Sequence, residues 1–128
     1  MHAGREFTTW FAGVKKEGGV LLARTADLLG ALRDLRAKPV EESATFKRVR
    51  QARRHEIWRV AHPFDPHVAV RILCWFPSEQ PETVVIALIG GDKKVIQDLW
   101  YDSATPRAEA AVDQWMRQKS TEADEADE

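Results

Sequence analysis

The chain has one cysteine, Cys74, in 128 residues, so no disulfide can form within it and any zinc would need ligands other than a cysteine cluster. Long apolar runs are also lacking. No stretch reaches the roughly 18 to 20 uninterrupted apolar residues that a membrane helix needs. The opening, Met1-His2-Ala3-Gly4-Arg5-Glu6, lacks the apolar core of a secretory signal, so a cytoplasmic protein with no membrane partner is expected. There is no internal repeat, and seven glycines and six prolines leave no low-complexity segment outside an acidic tail. The length suits one domain with a single hydrophobic core and is too short for two good ones.

What is present is an uneven distribution of charge. The net charge of −1 conceals five acids and no base in "EADEADE", Glu122 to Glu128, which leaves 19 basic against 15 acidic residues before it. The expected organisation is one domain over residues 1–119 and an acidic, disordered tail over 120–128. Within the domain, "FKRVRQARRHEIWRVAH" (Phe46 to His62) holds Lys47, Arg48, Arg50, Arg53, Arg54 and Arg59 against a single acid, Glu56. Such clustering is the electrostatic footprint of a nucleic-acid binder, although a solvated helix or loop face produces the same pattern.

The periodicity changes along the chain. In "EFTTWFAGVKK" (Glu6 to Lys16), Phe7, Trp10, Phe11 and Val14 recur at helical spacing until Gly18-Gly19 breaks the pattern. In "VLLARTADLLGALRDL" (Val20 to Leu35), Leu21, Leu28, Leu32 and Leu35 form one stripe, flanked by Leu22 and Leu29. Together they predict a helical hairpin, which "AKPVEES" then separates from the rest. "HEIWRVAH" (55–62), "VAVRILCWF" (68–76) and "TVVIALI" (83–89) are rich in β-branched and aromatic residues, with hairpin-length breaks at "PFDPH" and "PSEQP". An antiparallel meander is expected, with the second and third strands central and the helices on one side of the sheet. A turn of helix near Val95 to Leu99 and a helix from Pro106, a favoured first position, to about Lys119 would close the chain. The fold class is α+β: an N-terminal helical hairpin packed on a small sheet, with a C-terminal helix.

One residue interrupts this apolar pattern. Arg71 shares a strand face with Leu73 and Trp75, and an unpaired guanidinium there is costly to bury. It needs a carboxylate such as Glu56 or Glu82, or a groove in which an anion binds. A meander would bring Arg59, Arg71, the Gly90-Gly91-Asp92 exit with Lys93 and Lys94, and Tyr101 onto adjoining parts of the sheet. An RNA phosphodiester suits such a basic concavity. Attack by the ribose 2′-hydroxyl builds negative charge on the phosphorus oxygens, which fixed cations stabilise more than the ground state. A proton must also leave the 2′-oxygen and reach the 5′-oxygen, a role open to His55, His62 or Tyr101.

Other chemistry is less well served. The Gly90-Gly91 loop lacks the spacing and the Ser or Thr of a nucleotide-binding loop. His62, Asp65 and His67 cross a proline-rich hairpin with no matching second pair, so neither metal nor cofactor is expected. Trp58 or Trp100 would stack on a base if exposed, and the other tryptophans are core by type. Cys74 reads as a small core residue.

The order of elements resembles the RelE/ParE superfamily of toxins from type II toxin–antitoxin systems, in particular its HigB-like branch. "EFTTWF" is similar to the opening of the family's first helix and "HEIWRV" to its first long strand. "VRILCWF" is similar to the strand written around an arginine, "VVIALIGGDKK" to the strand ending in paired basic residues, and "WYDSA" to the tyrosine-bearing terminal segment. The resemblance implies a helical hairpin on a twisted antiparallel sheet. It also implies metal-independent cleavage of mRNA in the ribosomal A site and neutralisation by a cognate antitoxin, with no small-molecule substrate. Carried over by position, Arg71 would contact the scissile phosphate, Lys94 or Lys93 would follow the last strand, and Tyr101 would orient or deprotonate the nucleophile. The expected catalytic set is Arg71, Lys94, Tyr101 and His62, with Lys47, Arg48, Arg50, Arg53, Arg54, Arg59 and Lys93 binding RNA.

Two departures from the family pattern stand out. Glu56 and Trp58 occupy strand positions that are basic in its best-studied nucleases, so Arg59, Arg53 or a histidine would have to substitute. The short strand before the hairpin is nearly absent. The alternatives are a ParE-like inhibitor of DNA gyrase that cuts nothing, and a degenerate member that only binds RNA or protein. The tail from Glu122 to Glu128 is expected to be a plain solubility tail, the alternative being that it folds back as a weak shield over the basic groove.

Overall fold

The computed structural model describes residues 2–35, 38–61, 70–77, 86–92 and 97–126. Its elements are β1 (His2–Ala3), α1 (Arg5–Glu17), α2 (Gly19–Arg33), β2 (Phe46–Arg48), β3 (Trp58–Ala61), β4 (Val70–Trp75), β5 (Ile86–Asp92) and α3 (Gln97–Ala126). The class is α+β, with the helical hairpin packed on the sheet as expected.

Helix α1 buries Phe7 and Val14, the two ends of the stripe read from the sequence. It stops at Gly18, whose N–H donates to the Val14 carbonyl at 2.9 Å. Gly18 and Gly19 both take positive φ, 67° and 66°, a region that costs a side-chain-bearing residue roughly 1 kcal/mol or more. The pair therefore makes the hairpin corner, and α2 returns with Leu28, Leu29 and Leu32 buried.

The sheet order is β1-β5-β4-β3-β2. Strands β2 to β5 pair antiparallel, and β1 adds to the β5 edge in parallel through His2 opposite Ile86. A register irregularity lies between β4 and β5 at Leu73/Cys74. Strand β4 is central, and alternation sends its residues to two separate cores. Val70, Ile72 and Cys74 pack with Trp58, Val60, Phe7 and the α2 leucines. Leu73 packs on the other face with Val49, Ile57, Ala104, Ala108 and Val112. Each fully buried aliphatic side chain here contributes about 1.5–3 kcal/mol. Cys74 is fully buried, and burial pushes its thiol well above the usual range.

Several expectations are corrected. Helices cover both faces of the sheet, not one, because α3 lays Ala104, Ala108 and Val112 on the face opposite the hairpin. The strand before the hairpin exists, as β1, and β2 was not foreseen. The C-terminal region is one helix instead of two pieces. It runs through Pro106 and continues to Ala126, into the segment expected to be disordered. Pro106 removes the N–H that would bond the Asp102 carbonyl. Both residues are exposed, so water can satisfy that carbonyl. Strand β5 runs on through Gly90 and Gly91 to Asp92, and the expected breaks at "PFDPH" and, beyond Pro77, "PSEQP" lie outside the described residues.

Strand β3 begins at Trp58 instead of His55, and the cause is one side chain on α3. The Glu109 carboxylate, 6% exposed, accepts the backbone N–H groups of Arg53 (3.4 Å), Arg54 (2.6 Å) and His55 (3.1 Å). Those amides are thereby taken out of sheet pairing. One helical turn on, Asp113 accepts Arg54 Nη1 at 2.7 Å and pairs with His55 Nε2 at 2.8 Å. Burial alone would push the Glu109 carboxyl up, but the three amides and the Arg54 charge outweigh it and hold the group below the ordinary glutamate value. Hydrogen bonds from His55 and then Arg54 hold Asp113 down as well.

Replacing Glu109 with Ala orphans three amides and is expected to cost about 1–3 kcal/mol in chemical denaturation. Because the folded-state pKa values are depressed, this stabilisation is complete above the ordinary carboxylate pKa of about 4 to 4.5 and is lost as pH falls through the folded values. The melting temperature should therefore drop on acidification below about pH 4.5. Glu109→Gln should show a shallower drop, and an equal acid slope in that variant would place the acid sensitivity elsewhere.

Candidate nucleic-acid interface

The α3 face of the sheet is apolar around Leu73 and becomes cationic toward β2 and the start of β4. Cross-strand partners share a face, so the pairs Lys47–Arg59, Arg59–Leu73 and Ala61–Arg71 put Lys47, Arg59 and Arg71 on this side. Arg71 is flanked by Ala61 on β3 and Gly91 on β5. Neither neighbour carries a side chain beyond Cβ. Helix α3 brings Tyr101 onto the same side, where it joins the Leu73 cluster, and its ring meets Trp100 edge-on at 4.9 Å.

The electrostatics are those of an anion site. Arg71 Nη1 donates to the Val70 carbonyl at 3.1 Å, while its Nε is buried with no hydrogen-bond partner. Among the described residues, no carboxylate lies within salt-bridge distance of Arg59 or Arg71. Burial lowers the Arg59 pKa, Tyr101 partly offsets this, and the neighbouring positive Arg71 adds to the lowering. Burial pushes the Tyr101 hydroxyl above the usual tyrosine value, and Arg59, Arg71 and a hydrogen bond with Arg71 pull it only partly back. At neutral pH the phenol is therefore protonated. Two half-buried like charges beside a neutral hydroxyl gain from any oxyanion placed between them, and the planar fork of each guanidinium matches phosphate oxygens.

The structure thus brings together Arg71, Arg59, Tyr101 and Lys47. It does not bring in Arg48, which lies on the hairpin face opposite Val60's neighbour Trp58 and stacks 4.8 Å over that indole, its Nε 3.6 Å from Glu56. Glu56, considered as a partner for Arg71, instead pairs with Lys38 at 3.1 Å and accepts the Trp58 indole N–H at 2.8 Å. Arg54 is held by Asp113, which raises its pKa. His55 is bound to the same Asp113, 12 residues beyond Tyr101 and so about 18 Å along the helix axis; it cannot exchange a proton at the arginine pair. Trp58 is fully buried and unable to stack on a base, whereas Trp100 is half-buried. Arg50 and Arg53 are exposed on the loop before β3. Lys93, Lys94, His62, His67, Asp65 and Glu82 lie outside the described residues.

Two features were missed in the sequence. The small residues beside Arg71 become visible only once the register is known. Thr105, one turn after Tyr101, is fully buried with an unpartnered hydroxyl; a polar residue four positions on in an otherwise apolar stripe was the available signal. Compared with protein-family models, curated proteins and solved structures, the chain matches none.

Arg59→Ala and Arg71→Ala should each weaken binding of a single-stranded RNA and reduce the slope of log affinity against log salt by about 0.7. Arg48→Ala and Arg54→Ala should leave that slope unchanged and lower thermal stability instead. Fluorescence anisotropy across a salt series, with melting curves for all four variants, separates the two groups.

Proposed function

We propose that the protein is a RelE/ParE-type toxin of the HigB-like branch, a metal-independent endoribonuclease that cleaves mRNA on the ribosome in the cytoplasm and is neutralised by a cognate antitoxin. The observation that carries this reading is the Arg59–Arg71 pair, half-buried, with no described carboxylate within salt-bridge distance and beside a protonated Tyr101. In the reaction, the 2′-oxygen attacks the adjacent phosphorus, a 2′,3′-cyclic phosphate forms, and the 5′-oxygen leaves with a proton. Arg71, with Lys94, stabilises the charge that accumulates on the phosphoryl oxygens, and Arg59, Lys93 and Lys47 hold the flanking backbone. The raised Tyr101 pKa suits it to donate toward the leaving oxygen more than to act as a base. His62 is the remaining candidate for the base.

A second reading is favoured by one observation: among the described residues, no histidine stands beside the arginine pair, since His55 is held by Asp113 and His2 lies on the edge strand. A toxin that inhibits DNA gyrase without cutting RNA, or a member that only binds, needs no such base.

The test is induction in a bacterial host with mapping of mRNA 5′ ends, using Arg71→Ala as control. New ends at a fixed codon phase in translated regions, absent from a folded Arg71→Ala protein, are expected. Growth arrest with intact mRNA and DNA damage would favour the gyrase reading, and full toxicity of folded Arg71→Ala would refute the nuclease mechanism.

A further inference from the structure

Helix α3 emerges from the body of the protein beyond Trp115. Every residue from Met116 to Thr121 is exposed, and the helix still continues to Ala126. A helical segment as exposed as residues 116–121 is marginal in water, because helical stability in proteins comes chiefly from tertiary contact. The sequence gives this arm acids at 122, 124, 125, 127 and 128. The same molecule carries a complementary surface on which no described carboxylate comes within salt-bridge distance of the guanidiniums, the Arg59–Arg71 pair with exposed Lys47 beside it and Glu42 acting on Arg59 only from farther off.

The arm does not reach that surface in its own chain. Residues 122 to 126 follow Tyr101 by 21 to 25 positions on one helix, which places them roughly 30–37 Å along the axis from the cationic end. The alternative of a self-shielding tail is therefore ruled out while the helix holds. A neighbouring molecule has no such restriction.

We propose that the acidic arm of one copy docks on the Arg59–Arg71 face of a second copy, a head-to-tail contact that occupies the anion site in trans. The arm gains a packing surface, and the two half-buried guanidiniums gain carboxylates. Occupancy rises with protein concentration and falls with salt, so the stored protein covers its own phosphate-binding face and the diluted protein exposes it. The proposal rests on reading that face as an anion site, not on cleavage.

Sedimentation velocity of the full chain at about 0.05 M and about 0.5 M salt tests it. Concentration-dependent association at low salt that disappears at high salt is expected. Association should also vanish in the full-length variant carrying Glu122→Gln, Asp124→Asn, Glu125→Gln, Asp127→Asn and Glu128→Gln, and in the Arg59→Gln, Arg71→Gln double variant. Mixing these two variants should restore one contact, because each supplies the half the other lacks. A monomer at low salt, undiminished association of the amide variant, or no association in the mixture would each overturn the proposal. If the double arginine variant proves unfolded by circular dichroism, Lys47→Gln with Arg59→Gln takes its place. Single-stranded RNA binding by the parent chain separates the levels: RNA binding without self-association removes only the trans contact, whereas absence of both removes the anion-site reading beneath it.

Discussion

The cost of desolvating a guanidinium shapes the functional half of this fold. Arg71 sits in the central strand of a sheet covered by helices on both faces, where a charge without compensation is expensive. Small neighbours flank it, and among the described residues no carboxylate lies within salt-bridge distance. Ala61 and Gly91 flank Arg71, the Val70 carbonyl and Tyr101 take part of its hydrogen bonding, and one nitrogen remains unpartnered. Glu56, one of the acids the sequence offered as its partner, is committed to Lys38, Arg48 and the Trp58 indole. A structural salt bridge would have satisfied the guanidinium; instead its Nε is left buried without a hydrogen-bond partner.

The same face is closed by a different interaction at its other end. Glu109 gathers three consecutive backbone amides from a loop more than fifty residues away in sequence, and Asp113 adds the Arg54 and His55 side chains. Two acids thus draw Arg54, a candidate RNA contact, and His55, a candidate for proton transfer, out of the basic run and make them attachment points for α3. The apolar patch of Ala104, Ala108, Val112 and Leu73 lies alongside, and Trp75 and Trp115 meet edge-to-face at 5.5 Å beyond it.

Much of the scaffold was legible. The 3.6-residue spacing of Phe7, Trp10, Phe11 and Val14, the leucine stripe of α2 and the glycine pair between them are local signals, and local signals suffice for a helical hairpin. Strand β4 announced itself as apolar on both faces. What failed was non-local. Strand β1 is two residues long and exists only because β5 pairs with it, and β3 starts late because a distant glutamate captures the amides before it. Helix α3 covers the second face with small residues, Ala104 and Ala108, whose weak apolar signal does not advertise a buried stripe. At the candidate site, Arg71 stood out because a charge in an apolar run demands a reason, and Arg59 followed from pairing. Ala61, Gly91 and Thr105 stayed invisible because their importance is one of register and volume.

Pro106 lies between the two tasks that α3 performs. On its C-terminal side the helix is pinned by Glu109 and Asp113; on its N-terminal side it carries Tyr101. The rung that would join Asp102 to residue 106 cannot form, so bending compliance is concentrated in that one turn. The phenol is thereby mounted on a compliant joint attached to an anchored rod. It can shift relative to the two arginines while the clamp on the far side stays closed, and the stiffness felt at Tyr101 is decided by a residue in the turn beside it.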